Sequence, residues 1–526
     1  MFVKTQPDEI QDYLSDASHV RGGHAERVVF PESAEEVAEI LGEATRIKTS
    51  VTVSGAGTGT VAGRVPFGGI VIATDKLNRI KSVTKSQSGG RAIVEAGVRL
   101  IDLQRAAESE HLIYPPDPTE RSCFIGGNIA TNASGSRTFK YGPTRDYVER
   151  LTIALTTGDV IDLRRGDVHA HDRHLTLPLP AGRVIEAELP SYEMPHVRKH
   201  ASGYFVAPNM DAVDLFIGSE GTIGVIVEAE VRLLPKPEGL LSGVVFFDDE
   251  ANLLSFVGEA RERSLANRDS SPTVREGRNP TPGSPAGQPG WGGAVREGAY
   301  LDARALEYFD FESLRFLRQK YATIPASAAG AIFFEQETTT TTEDLLMSAW
   351  LELIETHHAL GDESWFATNE QDHAKLREFR HALPVLMNEW FAQHAQKKVS
   401  TDMAVPDEAF ADMLKFYQDS LRGGNLRYTI FGHIGDNHVH VNILPRNDDE
   451  AMKAWELYRS FIRRSVEVGG TISAEHGIGK LKREYLAQLY GEARLREMAA
   501  LKRAFDPAGI LGRGNMFAEE LLTGSR

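Results

Sequence analysis

The feature that most constrains this chain is a glycine loop with no helix able to follow it. The β-branched run Val51-Thr52-Val53 opens into Ser54-Gly55-Ala56-Gly57-Thr58-Gly59-Thr60, and the chain next becomes apolar at Gly69-Ile70-Val71-Ile72-Ala73. Gly57-Thr58-Gly59-Thr60-Val61-Ala62 satisfies G-x-G-x-x-A, and Asp75 lies 20 residues after Gly55, as a Rossmann fingerprint would have it. That fingerprint needs a helix to start inside the loop, so that its amides face a pyrophosphate. Gly63, Pro66, Gly68 and Gly69 break any such helix, and the Rossmann reading is rejected. What remains is strand, loop, strand. The loop by itself reads as a plain glycine turn, or as a nest of backbone amides able to hold a diphosphate.

The rest of the chain sets the frame. At roughly 100 to 200 residues per domain, 526 residues suggest two to four domains. With 41% hydrophobic and 25% charged residues the composition is that of a globular protein, which excludes collagen, coiled coil and wholesale disorder. The net charge of −16 and the lack of a basic patch argue against nucleic acid or anionic lipid as a partner. The single cysteine, Cys123, rules out an intrachain disulfide and an iron–sulfur cluster, so redox chemistry would need another cofactor. Cys123 itself reads as a lone small hydrophobe. No stretch approaches 18 apolar residues and the N-terminus lacks a signal pattern, so no transmembrane segment is expected. A cytoplasmic location, open to peripheral membrane contact, is the simplest expectation.

Spacing predicts a helix over 31–48 and strands over 148–160 and 222–234, the latter closed by Pro235-Lys236-Pro237. A domain boundary is placed there. Residues 271–294, with five prolines and six glycines, read as a flexible surface insertion. Beyond it, helical patterns at 345–357, 374–393 and 407–421 alternate with strand-like runs at 331–334, 428–431 and 439–444, which predicts an α+β second domain. His169, His171 and His174 read as an exposed hairpin rather than a second metal site, and Thr338 to Thr342 as an extended surface segment.

Two further segments are dense in small and amide residues: Pro115-Pro116-Asp117-Pro118-Thr119, then Ile125 to Ser136, with Gly126, Gly127, Asn128, Thr131, Asn132, Ser134 and Gly135. Such stretches let a flat polar ring system pack against backbone. With Lys140-Tyr141-Gly142 and Ile217-Gly218-Ser219-Glu220-Gly221-Thr222-Ile223-Gly224, residues 25–236 resemble the FAD domain of the vanillyl-alcohol oxidase and p-cresol methylhydroxylase flavoproteins. The resemblance implies that Ser54, Gly55, Ala56, Gly57, Thr58, Gly59 and Thr60 hold the FAD diphosphate. It implies that Pro116, Asp117, Gly126, Gly127, Asn128, Thr131, Asn132, Ser134, Gly135, Glu220, Gly221 and Ile226, with Asn515, line the isoalloxazine and ribityl groups. No histidine stands between Ser54 and Arg64, so the implied FAD is noncovalent.

The C-terminal half carries the second signal. Phe431-Gly432-His433-Ile434-Gly435-Asp436-Asn437-His438-Val439-His440-Val441-Asn442 holds three histidines in eight residues. His438 and His440 share a strand face, and His433 joins them only if Gly435-Asp436-Asn437 bends the chain. Ser473-Ala474-Glu475-His476-Gly477-Ile478-Gly479-Lys480 adds a carboxylate beside another imidazole. Two histidines and a glutamate can fill three positions of a Zn²⁺ site and leave one open, although, without further context, polar loop histidines or a structural histidine satisfied by hydrogen bonds are the plainer reading.

These segments, with Phe505-Asp506-Pro507, resemble the C-terminal half of FAD-linked D-2-hydroxyacid dehydrogenases, the group of D-lactate and D-2-hydroxyglutarate dehydrogenases and the glycolate oxidase flavoprotein subunit. The implied fold is α+β: FAD domain 1–236, substrate (cap) domain 237–490, and a C-terminal segment 491–526 returning to the FAD domain. The implied metal ligands are His433, His440 and Glu475, with Zn²⁺ the first candidate, and the implied base is His476. Arg380 matches a carboxylate-binding arginine, Lys398 matches a substrate lysine with a small shift, and Asn442 is placed to add a hydrogen bond. The implied reaction takes a D-2-hydroxyacid to the 2-oxoacid, the hydroxyl proton going to His476 and hydride to flavin N5. Electrons then leave to a quinone, a carrier flavoprotein, a cytochrome or oxygen, and a homodimer is expected from base rates.

Three positions depart from the group's pattern: Asn437-His438 between the ligand histidines, Leu511-Gly512-Arg513-Gly514-Asn515 near the end, and the shifted Lys398. His438 is open to a role as an alternative ligand or a substrate contact. Competing readings are an alkylglycerone-phosphate synthase, which tends to carry a histidine run where Glu475-His476 stands, a metal-dependent hydrolase, and a flavin-binding subunit without catalysis.

Overall fold

The computed structural model describes residues 1–270, 301–367, 369–394 and 396–522. The expected flexible insertion at 271–294 lies outside the described residues. Three sheets organise the rest. In the first, Arg27–Phe30, Ile70–Ala73 and Val51–Ser54 run parallel in that spatial order, and Phe2–Lys4 adds an antiparallel edge. The parallel pairs need crossovers. One is helix Ala34–Ile47, whose Ser33 cap accepts from Glu36 N and whose buried Val37, Leu41 and Ala44 face the sheet. The other is the glycine loop itself, which crosses from Ser54 to Ile70 without any helix.

The second sheet orders Ile80–Ser86, Gly89–Glu95, Val225–Pro235, Val148–Ala154 and Val160–Arg164, all antiparallel. Its central strand ends at Pro235, and Gly239–Phe247 starts the third sheet, so the Pro-Lys-Pro stretch marks the passage. That third sheet has seven antiparallel strands, ordered Trp365–Phe366, Gly239–Phe247, Gly330–Thr338, Ala303–Asp310, Tyr428–Gly432, His440–Ile443 and Val399–Ser400. Strand alternation gives it two apolar faces. Val244, Phe246, Phe309 and Phe333 meet helices Phe311–Leu317 and Glu370–His394 on one side. Val245, Phe247, Tyr308 and Phe334 meet Phe256 and Trp350 on the other.

The C-terminal helix Glu492–Phe505 returns to the N-terminal half, where the Phe505 ring meets Phe216 edge-on at 5.6 Å. Beyond it Val51 N donates to Ile510 O and Gly512 N to Val51 O, which extends the first sheet. The departure at Leu511–Asn515 therefore leaves this contact standing. Of the three histidines expected on an exposed hairpin, all exposed, only His174 lies in the hairpin of His174–Pro178 with Val184–Glu188, and His169 and His171 precede it; Cys123 is buried. The threonine run differs from expectation: only Thr338 is extended. Thr339 N donates to Thr342 Oγ1, and Thr342 N and Glu343 N both donate to Thr339 O, so the segment closes into a turn that leads directly into helix Glu343–Thr356. Among the described residues no helix is long and apolar enough to cross a membrane.

Candidate active site

The histidine bend forms as the turn residues require. Gly432 takes φ +128°, Ile434–Asp436 make one 3₁₀ turn, and Asn437 sits at φ +53° before the chain re-enters the strand at His440. This places the rings of His433, His438 and His440 with centroids 4.5 to 5.7 Å apart. Glu475 closes the group, with Oε1 3.4 Å from His433 Nε2 and Oε2 3.9 Å from His440 Nε2. One donor atom from each of His433, His438, His440 and Glu475 lies within 4.8 Å of the others.

The outer nitrogens are held. His440 Nδ1 donates to Thr401 O at 2.9 Å, which leaves Nε2 bare, and burial with the neighbouring imidazoles holds this ring well below its usual pKa. His433 Nδ1 meets Glu307 Oε1 at 2.6 Å. Burial pushes Glu307 up, but His433 and Arg380 bring it down to about 2. His438 is fully buried, and neither ring nitrogen has a hydrogen-bond partner. Three imidazoles and a carboxylate converging around an unpartnered buried nitrogen fit a divalent cation, with His438 a fourth donor beside the three expected ligands.

Two buried ion pairs frame the cluster. Lys199, wholly buried, sets Nζ 2.7 Å from Glu475 Oε1, 2.7 Å from Gly135 O and 3.3 Å from Asp436 Oδ2. Behind the loop Ser473–Lys480, the buried Asp402 accepts from Ser473 Oγ at 2.7 Å and Lys482 Nζ at 2.6 Å. His476 Nδ1 is 3.3 Å from Asp402 Oδ2, and its ring stacks 5.6 Å from that of His440. The His476 side chain is 37% exposed yet surrounded by protein, and burial lowers its pKa although Asp402 works to raise it. An imidazole in a cleft that is neutral at neutral pH can accept a proton.

Of the other expected site residues, Arg380 lies on helix Glu370–His394 with Nε 3.5 Å from Glu307 Oε2, one carboxylate away from His433. Lys398 is reached by solvent but hemmed in by protein, and burial lowers its pKa. Asn442 lies two residues beyond His440 on the same strand. It is buried, accepts from Ser400 Oγ at 2.9 Å and donates to His440 O, because strand pairing sets Asn442 opposite Ser400 inside the sheet.

The N-terminal segments meet this cluster. Gly59 and Gly127 face open space: a Cβ on either would meet nothing within 4 Å, the condition for a cofactor to approach backbone. The loop from Ser54 through Ala56 to Thr60 is shaped from behind by Arg64, which bonds Ser54 Oγ and Gly55 O and packs on Gly57, while Thr58 lies next to Gly59 in the bend. Ile125–Ala130, expected only as a small-residue stretch, is a short helix that contains Gly126, Gly127 and the buried Asn128.

Thr131 Oγ1 donates to Gly127 O, and Ser134 Oγ donates to Glu475 Oε1 at 3.2 Å. Gly135 passes so close to Asp117, next to Pro116, that a Cβ would lie 2.2 Å from Asp117 O. Asp117 and Asn132 have partners within the protein. Asp117 is buried against Arg121, Arg137 and Gln104, and Asn132 uses its amide on Arg145 N and His200 O, since each must satisfy buried backbone or charge. Glu220 accepts from Ile478 N at 2.6 Å and Gly479 N at 2.7 Å, and burial raises it to about 7. Gly221 takes φ +63°, Ile226 is buried in its strand, and Asn515 accepts from Lys480 Nζ at 2.7 Å.

Residues 25–164 match the FAD binding domain family, and residues 295–516 match the family of FAD linked oxidases, C-terminal domain. The chain is 30% identical to D-lactate dehydrogenase of Anaerostipes hadrus over 97% of this chain and 93% of that protein. It is 28% identical to glycolate oxidase subunit GlcD of Bacillus subtilis (strain 168), covering 97% and 92%. Against D-2-hydroxyglutarate dehydrogenase of Stutzerimonas stutzeri (strain A1501) the identity is 26%, covering 98% and 96%. A solved alkyldihydroxyacetonephosphate synthase superposes with a TM-score of 0.64 at 14% identity, covering 97% of this chain and 81% of that one, a likeness of fold alone.

Fold and matches together define an FAD-linked oxidoreductase, α+β in architecture, with an FAD-binding domain of the vanillyl-alcohol oxidase and p-cresol methylhydroxylase type. Within that class, the chain belongs to the family of FAD-linked D-2-hydroxyacid dehydrogenases that includes the glycolate oxidase flavoprotein subunit, and it is an FAD-dependent hydroxyacid dehydrogenase.

Five residues of the site's surroundings carried no signal in the sequence, Lys199, Glu307, Asp402, Lys482 and Arg64, and Asp436 reads there only as a turn former. Each of the five reads there as an ordinary charged residue. Only the pairing of distant segments shows its place.

Proposed function

We propose that this chain oxidises a D-2-hydroxyacid of the D-lactate type to the 2-oxoacid, using noncovalent FAD and a divalent metal held by His433, His440 and Glu475, with His438 beside them. The observation that supports this best is the meeting of a neutral imidazole, His476, with the imidazole–carboxylate cluster and the flavin-domain residues Ser134, Lys199 and Glu220. When bound, FAD supplies a two-electron acceptor and the metal a Lewis acid beside the substrate oxygens.

The chain's own residues do the rest. His476 takes the hydroxyl proton at Nε2, the nitrogen directed away from Asp402. Arg380 grips the carboxylate through parallel N–H donors, and Lys398 adds a second cation in the cleft. Ser134 and Lys199 hold Glu475 so that it stays ionised and oriented. Zn²⁺ is the first candidate from the nitrogen-rich donor set. With one cysteine the chain builds no cluster of its own, so electrons pass to a quinone, carrier flavoprotein, cytochrome or oxygen. A homodimer in the cytoplasm, or at a membrane surface, completes the proposal.

The test is the anaerobic visible spectrum of the purified protein before and after D-lactate, D-2-hydroxyglutarate or glycolate, with L-enantiomers as controls. Bleaching of the flavin band by one D-acid is expected. It should be lost in His476→Ala and after chelation, and restored by divalent metal. A yellow protein that no hydroxyacid bleaches would reject the proposed substrate class.

A further inference from the structure

Behind His476 stands a carboxylate that the expected site did not include. Asp402 is 1% exposed and follows the edge strand Val399–Ser400. Three successive residues of this segment each serve a different partner. Ser400 Oγ holds Asn442, Thr401 O holds His440 Nδ1, and Asp402 faces His476. Asp402 Oδ2 gathers Lys482 Nζ, Ser473 Oγ, His476 N at 3.1 Å and His476 Nδ1 at 3.3 Å. Its Oδ1 takes Glu475 N at 3.2 Å and lies 3.2 Å from His438 Nε2, a contact without hydrogen-bond alignment.

An ionised carboxylate only accepts, so the nitrogen turned toward it must carry hydrogen. We infer that Asp402 is the positioning residue of His476: facing Nδ1, it fixes the Nδ1–H tautomer and turns a bare Nε2 into the cleft. The inference rests on the reading of His476 as the base. The 3.3 Å separation is of the kind that tightens when substrate closes a site. Lys482 Nζ at 2.6 Å and Ser473 Oγ at 2.7 Å both donate to Asp402 and keep it an ionised acceptor. An uncharged amide in its place can offer N–H to Nδ1, which inverts the tautomer and puts hydrogen on the nitrogen that must accept the proton.

The experiment compares the FAD-loaded wild type with Asp402→Asn and with the double variant Asp402→Asn/Lys482→Met, which does not strand a buried ammonium. Three quantities are read: FAD and metal per chain, kcat against KM for flavin reduction by the hydroxyacid, and the nitrogen NMR signals of isotope-labelled histidine, with His476 assigned by its loss in His476→Gln. The expected result is unchanged FAD and metal, KM within about threefold, kcat lower by about 10²–10⁴-fold, and a His476 tautomer that passes from Nδ1–H to Nε2–H.

Unchanged kcat, or a tautomer indifferent to the substitution, would overturn the inference, as would a fall in kcat that merely follows loss of metal or FAD in both variants. If no hydroxyacid reduces the wild type, the proposed function fails and the tautomer alone decides on Asp402. If both variants fail to fold, the wild-type signal decides, Nε2–H being the overturning result.

Discussion

Lys199 and His200 are neighbours in sequence and opposite in consequence. Lys199 is buried with full charge because Glu475 and Asp436 surround it, and their attraction raises its pKa against the pull of burial. Removing one partner of such a set leaves buried charge behind and costs about 3–5 kcal/mol. Lys199→Met should therefore lower the unfolding free energy of the chelated protein by about that much in urea melts. Adding Glu475→Gln should cost less than the sum of the two single changes.

His200 is half-buried, its Nδ1 enclosed and unpartnered, and no carboxylate answers it. Burial, then Arg145, pushes it down to about 3. The unfolded ring titrates near 6.5, so above that pH it is neutral in both states. As pH falls from about 6.5 toward 3 the unfolded chain takes up a proton that the fold refuses, and stability is lost. His200→Gln should shrink the wild type's loss of unfolding free energy between pH 7 and pH 5 by about 2 kcal/mol. An equal loss in both proteins would show that His200 is protonated in the fold.

At the scale of elements, helix Ile125–Ala130 holds two adjacent glycines with different tasks. A Cβ on Gly126 would stand 2.6 Å from Ala96 Cβ and 3.0 Å from Ala96 O, whereas one on Gly127 meets nothing. Gly126→Ala should therefore damage the apoprotein fold. Gly127→Ala should leave the apoprotein as stable or up to about 1 kcal/mol more stable, through helix propensity, and weaken FAD binding by filling the cradle. Titration of FAD into the two apoproteins, with urea melts of each, separates the outcomes. Undiminished FAD affinity in Gly127→Ala would place the cofactor elsewhere.

The same helix marks where the sequence is legible. Strands such as Val51–Ser54, Ile70–Ala73 and Val225–Pro235 are readable because their apolar runs end at glycine or proline, and the histidine bend because Gly435, Asp436 and Asn437 are turn formers. The helix at 125 is hidden, since two glycines in six residues argue against it until tertiary packing overrides propensity. The outer residues are hidden for another reason. Lys199 meets Glu475 across 276 positions, and Glu307 meets His433 across 126. No local pattern records pairings of that span.

In the whole molecule, the two halves are joined at the site itself. Ser134, Lys199 and Glu220 reach from the N-terminal half to Glu475, Ile478 and Gly479, and Lys480 in turn bonds Ala62 O, Gly63 O and Asn515. Lys502, buried in the returning helix, donates to Thr222 O and Leu511 O. Opening either half alone would strand these buried charges, so the halves should unfold together. Tryptophan distribution offers a clean reporter. All five tryptophans, at 291, 350, 365, 390 and 455, lie after the Pro-Lys-Pro passage, and none lies in the FAD-binding half. Ligand at a hundredfold excess over Kd stabilises the state it binds by about 2.7 kcal/mol. If the halves are one cooperative unit, adding FAD to the apoprotein should move the urea midpoint of tryptophan emission upward, in step with the midpoint seen by far-ultraviolet circular dichroism. A tryptophan midpoint indifferent to FAD would mean that the C-terminal half opens on its own, and that the buried ties at Glu475 and Glu220 form only after each half has folded.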